Sequence, residues 1–143
     1  MQIRAYQPSD EASVIALWEA CGLLRSWNDP LKDIQRKLTV QPELFLVGTI
    51  DAKVIASVMA GYDGHRGWVN YLAVDPTLRK AGLGRALMER VERDLTAMGC
   101  PKLNLQVRTS NHEVLAFYAR IGYARDETVS LGKRLIPDEP REK

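Results

Sequence analysis

The sequence predicts one domain of the α/β (α+β) class, in which helices and strands follow one another along the chain. With 143 residues, 45% of them hydrophobic, the chain is long enough to bury one core and too short for two full domains. Its apolar residues change between a helical and a strand period several times. The domain is expected to span residues 1–143, with a charged, proline-interrupted tail at 137–143 that frays.

The first part of the chain predicts a short strand and two helices. Ile3 to Tyr6 forms the strand, and a helix follows Ser9, carries acidic residues in its first turn and ends at Gly22. Asp29 before Pro30 is a favourable cap and first position for the second helix. The helices are joined by a loop, residues 23–28, that mixes apolar and polar side chains.

The middle of the chain predicts a three-stranded antiparallel meander. Leu44 to Ile50 and Val54 to Ala60 are rich in apolar and β-branched residues and are joined by a short turn. A second turn, Asp63 to Gly67, leads into a strand from Trp68 to Val74.

The last part predicts two more helices and further strands. One helix begins near Gly82 and ends before Gly99, and Leu103 to Val107 is a buried strand. Ser110 with Glu113 forms a capping box for the last helix. Residues 123–136 are expected to supply one or two final strands.

Composition excludes several classes of function. The formal charge is only +2 and no basic block is present, so nothing favours binding to nucleic acid or to a membrane. No apolar run reaches the roughly 18 residues of a spanning helix, and the N-terminus does not resemble a signal peptide. The two cysteines and two histidines lack a zinc-ligand spacing, so no metal is predicted. We expect a cytoplasmic protein with reduced cysteines.

The segment Arg79-Lys80-Ala81-Gly82-Leu83-Gly84-Arg85 predicts an anion site at the start of a helix. Such a turn offers backbone N–H groups without intrahelical partners and the positive end of the helix dipole. The two glycines allow close approach of a phosphate, and three basic side chains add positive charge. A helix start whose glycines merely permit a turn is an equally good interpretation of this loop alone.

Two other phosphate loops do not fit these letters. A nucleoside-triphosphate loop needs Lys-Ser or Lys-Thr after its last glycine, where this chain has Arg85-Ala86. A dinucleotide loop needs a third small residue where Leu87 stands, and an acid about 20 residues further on.

Together with its flanks, the loop has a family resemblance. The segment from Leu72 to Leu87 resembles the coenzyme A motif of GNAT-type N-acetyltransferases, and the segment from Asn111 to Tyr123 is similar to their downstream Asn, Phe-Tyr and Gly-Tyr signature. The resemblance covers nearly the whole chain. Three further segments, residues 27–30, 61–67 and 130–135, are similar to the bacterial YpeA-type subgroup.

The resemblance implies a GNAT fold and a donor substrate. The fold is a mixed, mostly antiparallel sheet of six to seven strands with four flanking helices, splayed between two strands to hold acetyl-CoA. The implied cofactor contacts are made by the strand residues, the loop and the last helix: Leu72, Ala73, Val74, Arg79, Lys80, Ala81, Gly82, Leu83, Gly84, Arg85, Asn111 and Tyr118. The reaction is transfer of the acetyl group to a primary amine.

Tyr118 is the predicted catalytic residue, as the proton donor to the leaving thiolate. A core aromatic on the buried face of its helix is the alternative interpretation. A backbone N–H near Ala73 or Val74 is the predicted oxyanion donor. The strand from Trp68 to Val74 carries no carboxylate or histidine, although many relatives have a glutamate there. Because lysine costs roughly 4 kcal/mol to deprotonate near neutral pH and an α-amine only about 1, we expect a small or α-amine acceptor.

Four residues are predicted on the acceptor side. Trp27 is expected to stack on the acceptor or to cover the core, and Arg25 to bind an acidic group on it. Asp63 and His65 are candidates for acting through water, although their turn explains them equally well. A non-catalytic acyl-CoA sensor is the alternative function. Many relatives pair through their last strands, so a homodimer through residues 123–136 is a further expectation.

Overall fold

The computed structural model describes residues 1–138, and residues 139–143 lie outside the described part. Four helices and five strands are present, as the bounds show: β1 Gln2–Ala5, α1 Glu11–Ala20, α2 Pro30–Lys37, β2 Phe45–Ile50, β3 Lys53–Tyr62, β4 Gly67–Val74, α3 Leu83–Ala97, β5 Leu103–Leu105 and α4 His112–Arg120. The four predicted helices are confirmed. None of the described helices is long and apolar enough to cross a membrane.

The sheet is mixed and mostly antiparallel, as expected. Its strands follow chain order, and the pairs from β1 to β4 are antiparallel while β4 and β5 run parallel. The predicted six to seven strands were too many, because no strand forms in residues 123–136 of the described chain. This segment touches the β5 region through side chains instead, with a Lys102–Asp126 ion pair of 2.8 Å.

Helices cover both faces of the sheet. On one face, α3 contributes Leu87, Val91 and Leu95 to a core that includes Val58 and Val69 of the sheet. On the other face, α1 and α2 contribute a second core with Phe45, Val47, Met59 and Ala73 of the sheet, formed by Val14, Leu17, Trp18 and Ile34. Burying these side chains on both faces fixes the positions of β4 and β5 between the helices.

The pairing of β4 with β5 is short. It joins Gly67 to Leu103, Trp68 to Asn104 and Val69 to Leu105, and then it stops. Strand β4 continues to Val74 with its far edge unpaired by β5. The predicted splay between these strands is therefore present and begins after Val69.

A β-bulge lies at the start of the splay. Ala73 pairs with Ser57 and Asn70 pairs with Met59, so two residues of β4 oppose one residue of β3. Tyr71 takes φ of 53° there, a left-handed conformation that costs a non-glycine residue about 1–2 kcal/mol. The bulge changes which face of the sheet alternate side chains occupy, so Asn70 and Tyr71 both lie toward α1 and α2.

The end of the described chain is held in place at Asp138. Its side chain is fully buried and pairs with Arg36 and Arg134, each at 2.7 Å. The expectation that the chain frays from residue 137 is therefore wrong at Asp138, because two guanidinium groups and a backbone N–H bind its carboxylate. The rest of that predicted tail, residues 139–143, is outside the described residues.

Candidate active site

The glycine loop opens helix α3 as predicted. Gly82 is the N-cap with φ of 79°, and it has no side chain that could accept a bond from the first turn. Ala86 is the first residue to bond back, with its N–H 3.1 Å from the carbonyl oxygen of Gly82. The N–H groups of Leu83, Gly84 and Arg85 are therefore left to an external acceptor at the positive end of the helix.

Basic side chains surround this helix start. Arg79 and Lys80 are exposed, and in the described part of the chain no carboxylate lies within 4 Å of either. Arg85 is exposed as well and donates to Glu89 at 3.0 Å, a surface pair that water screens. Ala81 lies between them, also exposed. The loop is thus a concentrated positive site on a chain of nearly zero net charge.

Gly84 brings the loop against α4 and the end of β4. A Cβ atom on this residue would lie 3.2 Å from Cζ of Phe117 and 3.7 Å from Cγ2 of Val74. The contact with Phe117 is tighter than ordinary packing, so the absence of a side chain lets α3 start this close to α4. The anion site, the open strand end and α4 consequently meet at one place.

The backbone of β4 alternates between its two neighbours beyond the bulge. The N–H of Asp75 donates to the carbonyl oxygen of Ile55 at 2.8 Å, and Ala73 lies opposite Ser57 in the same register. In an antiparallel ladder, residues two apart direct their backbone groups to the same strand. The N–H of Ala73 therefore faces β3 and not the opening, and of the two residues near which an oxyanion N–H is predicted, Ala73 and Val74, only Val74 directs its N–H to the opening.

Leu72 and Val74 fall on the other side of this alternation. Their backbone groups face the unpaired edge of β4, as a cofactor contact requires. The carbonyl oxygen of Val74 accepts a bond from Sγ of Cys21 at 3.2 Å. Its N–H is the donor that this edge presents next to the glycine loop.

Tyr118 lies on α4 with only 8% of its surface exposed. Its ring packs edge-on against Phe117 and Tyr123, with centroids 5.0 and 5.6 Å away. Burial raises the pKa of Tyr118 to about 12. Its hydroxyl forms no hydrogen bond within residues 1–138 and is not sealed from solvent, since every fully buried polar side-chain atom there has a partner. The ring of Tyr118 therefore packs in the core, and its hydroxyl is free to donate a hydrogen bond to a ligand.

Asn111, and not Ser110, caps helix α4. Its Oδ1 accepts a bond from the N–H of Val114 at 3.3 Å. The predicted capping box with Glu113 is therefore wrong by one position. The cap fixes the side chain of Asn111 and leaves its amide N–H groups for other acceptors.

Trp27 lies near the opening between β4 and β5, on the side of β5. Its ring is half exposed and carries the guanidinium of Arg108 at 5.5 Å from the centroid. Arg108 comes three residues after β5, so this cation–π contact joins the loop between α1 and α2 to the β5 side of the splay. Arg25 of the same loop donates to the carbonyl oxygens of Gly22 and Leu24, at 2.7 and 3.2 Å.

Asp63 and His65 lie in the turn between β3 and β4. Oδ1 of Asp63 accepts bonds from the N–H groups of Arg66 and His65, at 2.7 and 2.8 Å, and these bonds lower the pKa of Asp63. The turn is at the start of β4, whereas the unpaired edge begins at Asn70. The pair therefore lies at the opposite end of β4 from the glycine loop, and its bonds are those of an Asx turn.

Sequence reasoning missed Asp33 of helix α2. Its Oδ2 accepts a bond from the hydroxyl of Tyr71 at 2.6 Å, directly at the bulge. Burial, and then this carboxylate, raise the pKa of Tyr71 far above its usual value. No local pattern could reveal the contact, because the two residues are 38 positions apart and belong to different elements.

Asp33 also connects to the ion-pair cluster at the end of the described chain. Arg36 lies 3.4 Å from Asp33 and pairs with Asp138, and Arg134 binds both Asp138 and Oδ1 of Asn28. The cluster holds the chain end against the loop that carries Trp27. It explains why residues 27–30 and 130–135, two segments noted in the sequence, belong together in space. In residues 1–138 no group of three metal-ligating side chains occurs.

Comparison with known proteins agrees with this arrangement. Residues 11–123 match the acetyltransferase (GNAT) family. The chain is 52% identical to an acetyltransferase of Yersinia enterocolitica over 97% of its length and 99% of the relative's, and 49% identical to one of Pectobacterium atrosepticum over 96% and 98%. Among solved structures, Ard1 from Thermoplasma volcanium superimposes with a TM-score of 0.75 at 27% identity, covering 86% of this chain and 82% of that one.

The chain therefore belongs to the GNAT acetyltransferase family. It is an enzyme of the acetyl-CoA-dependent N-acetyltransferase class, with acetyl-CoA as the co-substrate.

Proposed function

We propose that this enzyme acetylates a small or α-amine acceptor that carries an acidic group, by direct attack of the amine on the thioester. The observation that carries the proposal is the opening of β4 from β5 after Val69, next to an uncapped helix start bearing free cations. The donor fits this wedge with its pyrophosphate at residues 79–85. Leu72 and Val74 pair through their backbone with the pantetheine arm.

The oxyanion of the tetrahedral intermediate is stabilised by the N–H of Val74. This assignment is supported by the direction of the N–H groups, because the N–H of Val74 points toward the unpaired edge of β4 whereas that of Ala73 points toward β3. A fixed N–H dipole aimed at developing charge accounts for about 3 kcal/mol of barrier lowering in other acyl-transfer sites.

Tyr118 donates a hydrogen bond to the leaving sulfur. With the Tyr118 pKa near 12 and a thiol pKa near 8.5, complete transfer of its proton is uphill by roughly 5 kcal/mol. A hydrogen bond that stabilises the thiolate is therefore the better role, and water then protonates the released thiolate. Asn111 supports the same end of the donor through its free amide N–H groups.

The acceptor enters from the face covered by α1 and α2. Support comes from Trp27, which is half exposed beside the opening and contacts Arg108. The bond from Arg134 to Oδ1 of Asn28 holds the loop that carries Trp27. Strand β4 carries no general base, so an amine with a low pKa reacts best. Arg25 is a candidate for the acidic group through the part of its guanidinium that does not bind the loop carbonyls.

Release of free thiol from acetyl-CoA, measured over a panel of amines for the parent and for Tyr118→Phe, tests this function. We expect turnover with α-amines and a lower kcat in the variant. Preference for internal lysines in basic peptides would contradict the acceptor class. Tight binding of acetyl-CoA without turnover of any amine would favour a sensor instead.

We further propose a cytoplasmic homodimer that binds neither nucleic acid nor membrane. The segment of residues 123–136 supports the dimer through its exposed apolar side chains, which are Val129, Leu131, Leu135 and Ile136. Light scattering after size exclusion should give twice the chain mass, and Leu131→Lys should halve it. The formal charge of only +2 supports the proposal that the protein binds neither nucleic acid nor membrane, and the two free cysteines support the cytoplasmic location.

A further inference from the structure

The sheet face under α1 and α2 is only partly covered. Tyr71 and Ala73 are packed under these helices, but Trp68 is 39% exposed and Asn70 is exposed as well. The bulge turns Asn70 and Tyr71 to the same face, so the uncovered strip of β4 runs directly up to the start of the splay. A molecule lying on this strip reaches the open edge of β4.

A groove of about 250 Å³ occupies the strip. Its floor is formed by Met59, Ala60 and Gly61 of β3, and Trp68 and Asn70 of β4 form one side. The end of α2 and the residues after it form the other side, with Lys37, Val40 and Gln41.

Lys37 is a partly buried cation without an ion-pair partner. Its ammonium donates to the carbonyl oxygens of Val40 and Ala60, and in residues 1–138 no carboxylate lies within 4 Å of it. Burial lowers the pKa of Lys37, while Glu43 opposes this from a greater distance. Asp63 also lines the groove, with two backbone N–H groups on its carboxylate. An ammonium has three N–H donors, so one remains for a ligand.

We propose that this groove binds the carboxylate-bearing tail of the acceptor, with Lys37 as the partner of the carboxylate. The inference rests on the proposed function and replaces Arg25 as the anion-binding residue. The length of the acceptor follows from the register. Lys37 lies at Ala60, which pairs with Val69, and the oxyanion donor Val74 is five residues further along β4. At about 3.3 Å per residue, and with about one residue's rise lost in the bulge, the reacting amine and the carboxylate are about 13–17 Å apart.

The test uses ω-amino acids of four, eight and twelve carbons and their amides as acceptors, with acetyl-CoA saturating. We expect the twelve-carbon acid to exceed its amide at least tenfold in kcat/KM, through KM, and the four-carbon acid to show no such ratio. Lys37→Met should abolish this ratio, and Lys37→Arg should keep most of it. Lys32→Met, on the same helix, is the matched control and should leave the ratio unchanged. An unchanged ratio in a folded Lys37→Met would overturn the inference.

A second measurement separates this inference from the proposed function. Binding of 12-aminododecanoate in the presence of coenzyme A is measured by calorimetry on the parent and on Lys37→Met. Saturable binding that Lys37→Met weakens at least tenfold supports the groove even if no amine is acetylated. Absence of binding to the parent enzyme overturns it even if other amines are acetylated.

Discussion

The rings of Trp18 and Tyr71 stack with their centroids 3.9 Å apart and only 10° between their planes. Trp18 is fixed in turn by a bond from its indole Nε1 to Oγ of Ser57 at 2.9 Å. The stack therefore holds the residue that takes the left-handed conformation at the bulge. Helix α1, on one face of the sheet, therefore maintains the bulge in β4 at which the donor wedge opens.

Tyr71→Phe keeps this stack and loses only the bond to Asp33. We expect a loss of roughly 1.5–3 kcal/mol in unfolding free energy, the usual cost for a hydrogen bond to a charged group, with the bulge retained. Urea unfolding followed by circular dichroism measures the change. Tyr71→Ala is the comparison and should lose about 3–5 kcal/mol, because it removes the ring as well. Equal losses in the two variants would show that the stack does not hold the bulge.

Gly82→Ala tests the anion site. Gly82 and Gly99 lie at opposite ends of α3, with φ of 79° and 88°, and an added Cβ meets nothing within 4 Å at either. Each alanine should cost about 1 kcal/mol in stability from the left-handed conformation alone. Only Gly82→Ala should also weaken the binding of coenzyme A, by about tenfold as measured by calorimetry, because it changes the N–H groups around the phosphates. Equal affinities in the two variants would remove this loop from the donor site.

Tyr118→Phe should lower kcat about ten- to a hundredfold while leaving the Kd of coenzyme A within twofold. Because burial raises the pKa of Tyr118 to about 12, its proton is retained throughout the assay range. The parent's kcat/KM should therefore rise with pH as the acceptor amine deprotonates, with no fall below about pH 10 from this tyrosine. Tyr123→Phe, which loses a bond to Glu92, is the control and should affect stability alone. A decrease in rate near pH 8 in the parent alone would contradict the assignment.

Asp138→Asn tests the cluster at the end of the described chain. The guanidinium of Arg36 holds the pKa of Asp138 far below its usual range. A depressed carboxyl pKa stabilises the fold above the usual value near 4, and this contribution is lost as the pH falls toward the folded-state pKa. The variant should melt at a lower temperature than the parent at pH 7, and the difference should shrink below pH 4. Asp126→Asn, in an exposed pair with Lys102, should change little at either pH.

Local features of the sequence predicted most of the fold and the donor side. Gly82, the Asp29-Pro30 cap and the turn at Asp63 act within a few residues, so their letters are sufficient to place helix ends and turns. Residues 123–136 were predicted to supply one or two final strands. A strand needs a backbone partner, however, and the described chain provides none for this segment.

The acceptor side was the harder part to predict. The contacts of Tyr71 with Asp33 and of Arg36 with Asp138 join positions 38 and 102 apart, and neither depends on a local pattern. The missing carboxylate of β4 was noted correctly, but the acid nearest to the bulge comes from a helix. Only the packing of α2 on the sheet reveals it.

The contacts of Asp138 also have a consequence for the order of folding. They close loops of 102 residues to Arg36 and 109 residues to the backbone of Asp29, and both loops enclose every strand and helix from β2 to α4. Closing so long a loop is entropically unfavourable until the chain between its ends is already compact. We therefore expect the loop between α1 and α2 to consolidate last and to exchange its amide hydrogens fastest. The donor half of the enzyme would then be rigid before the acceptor half is complete.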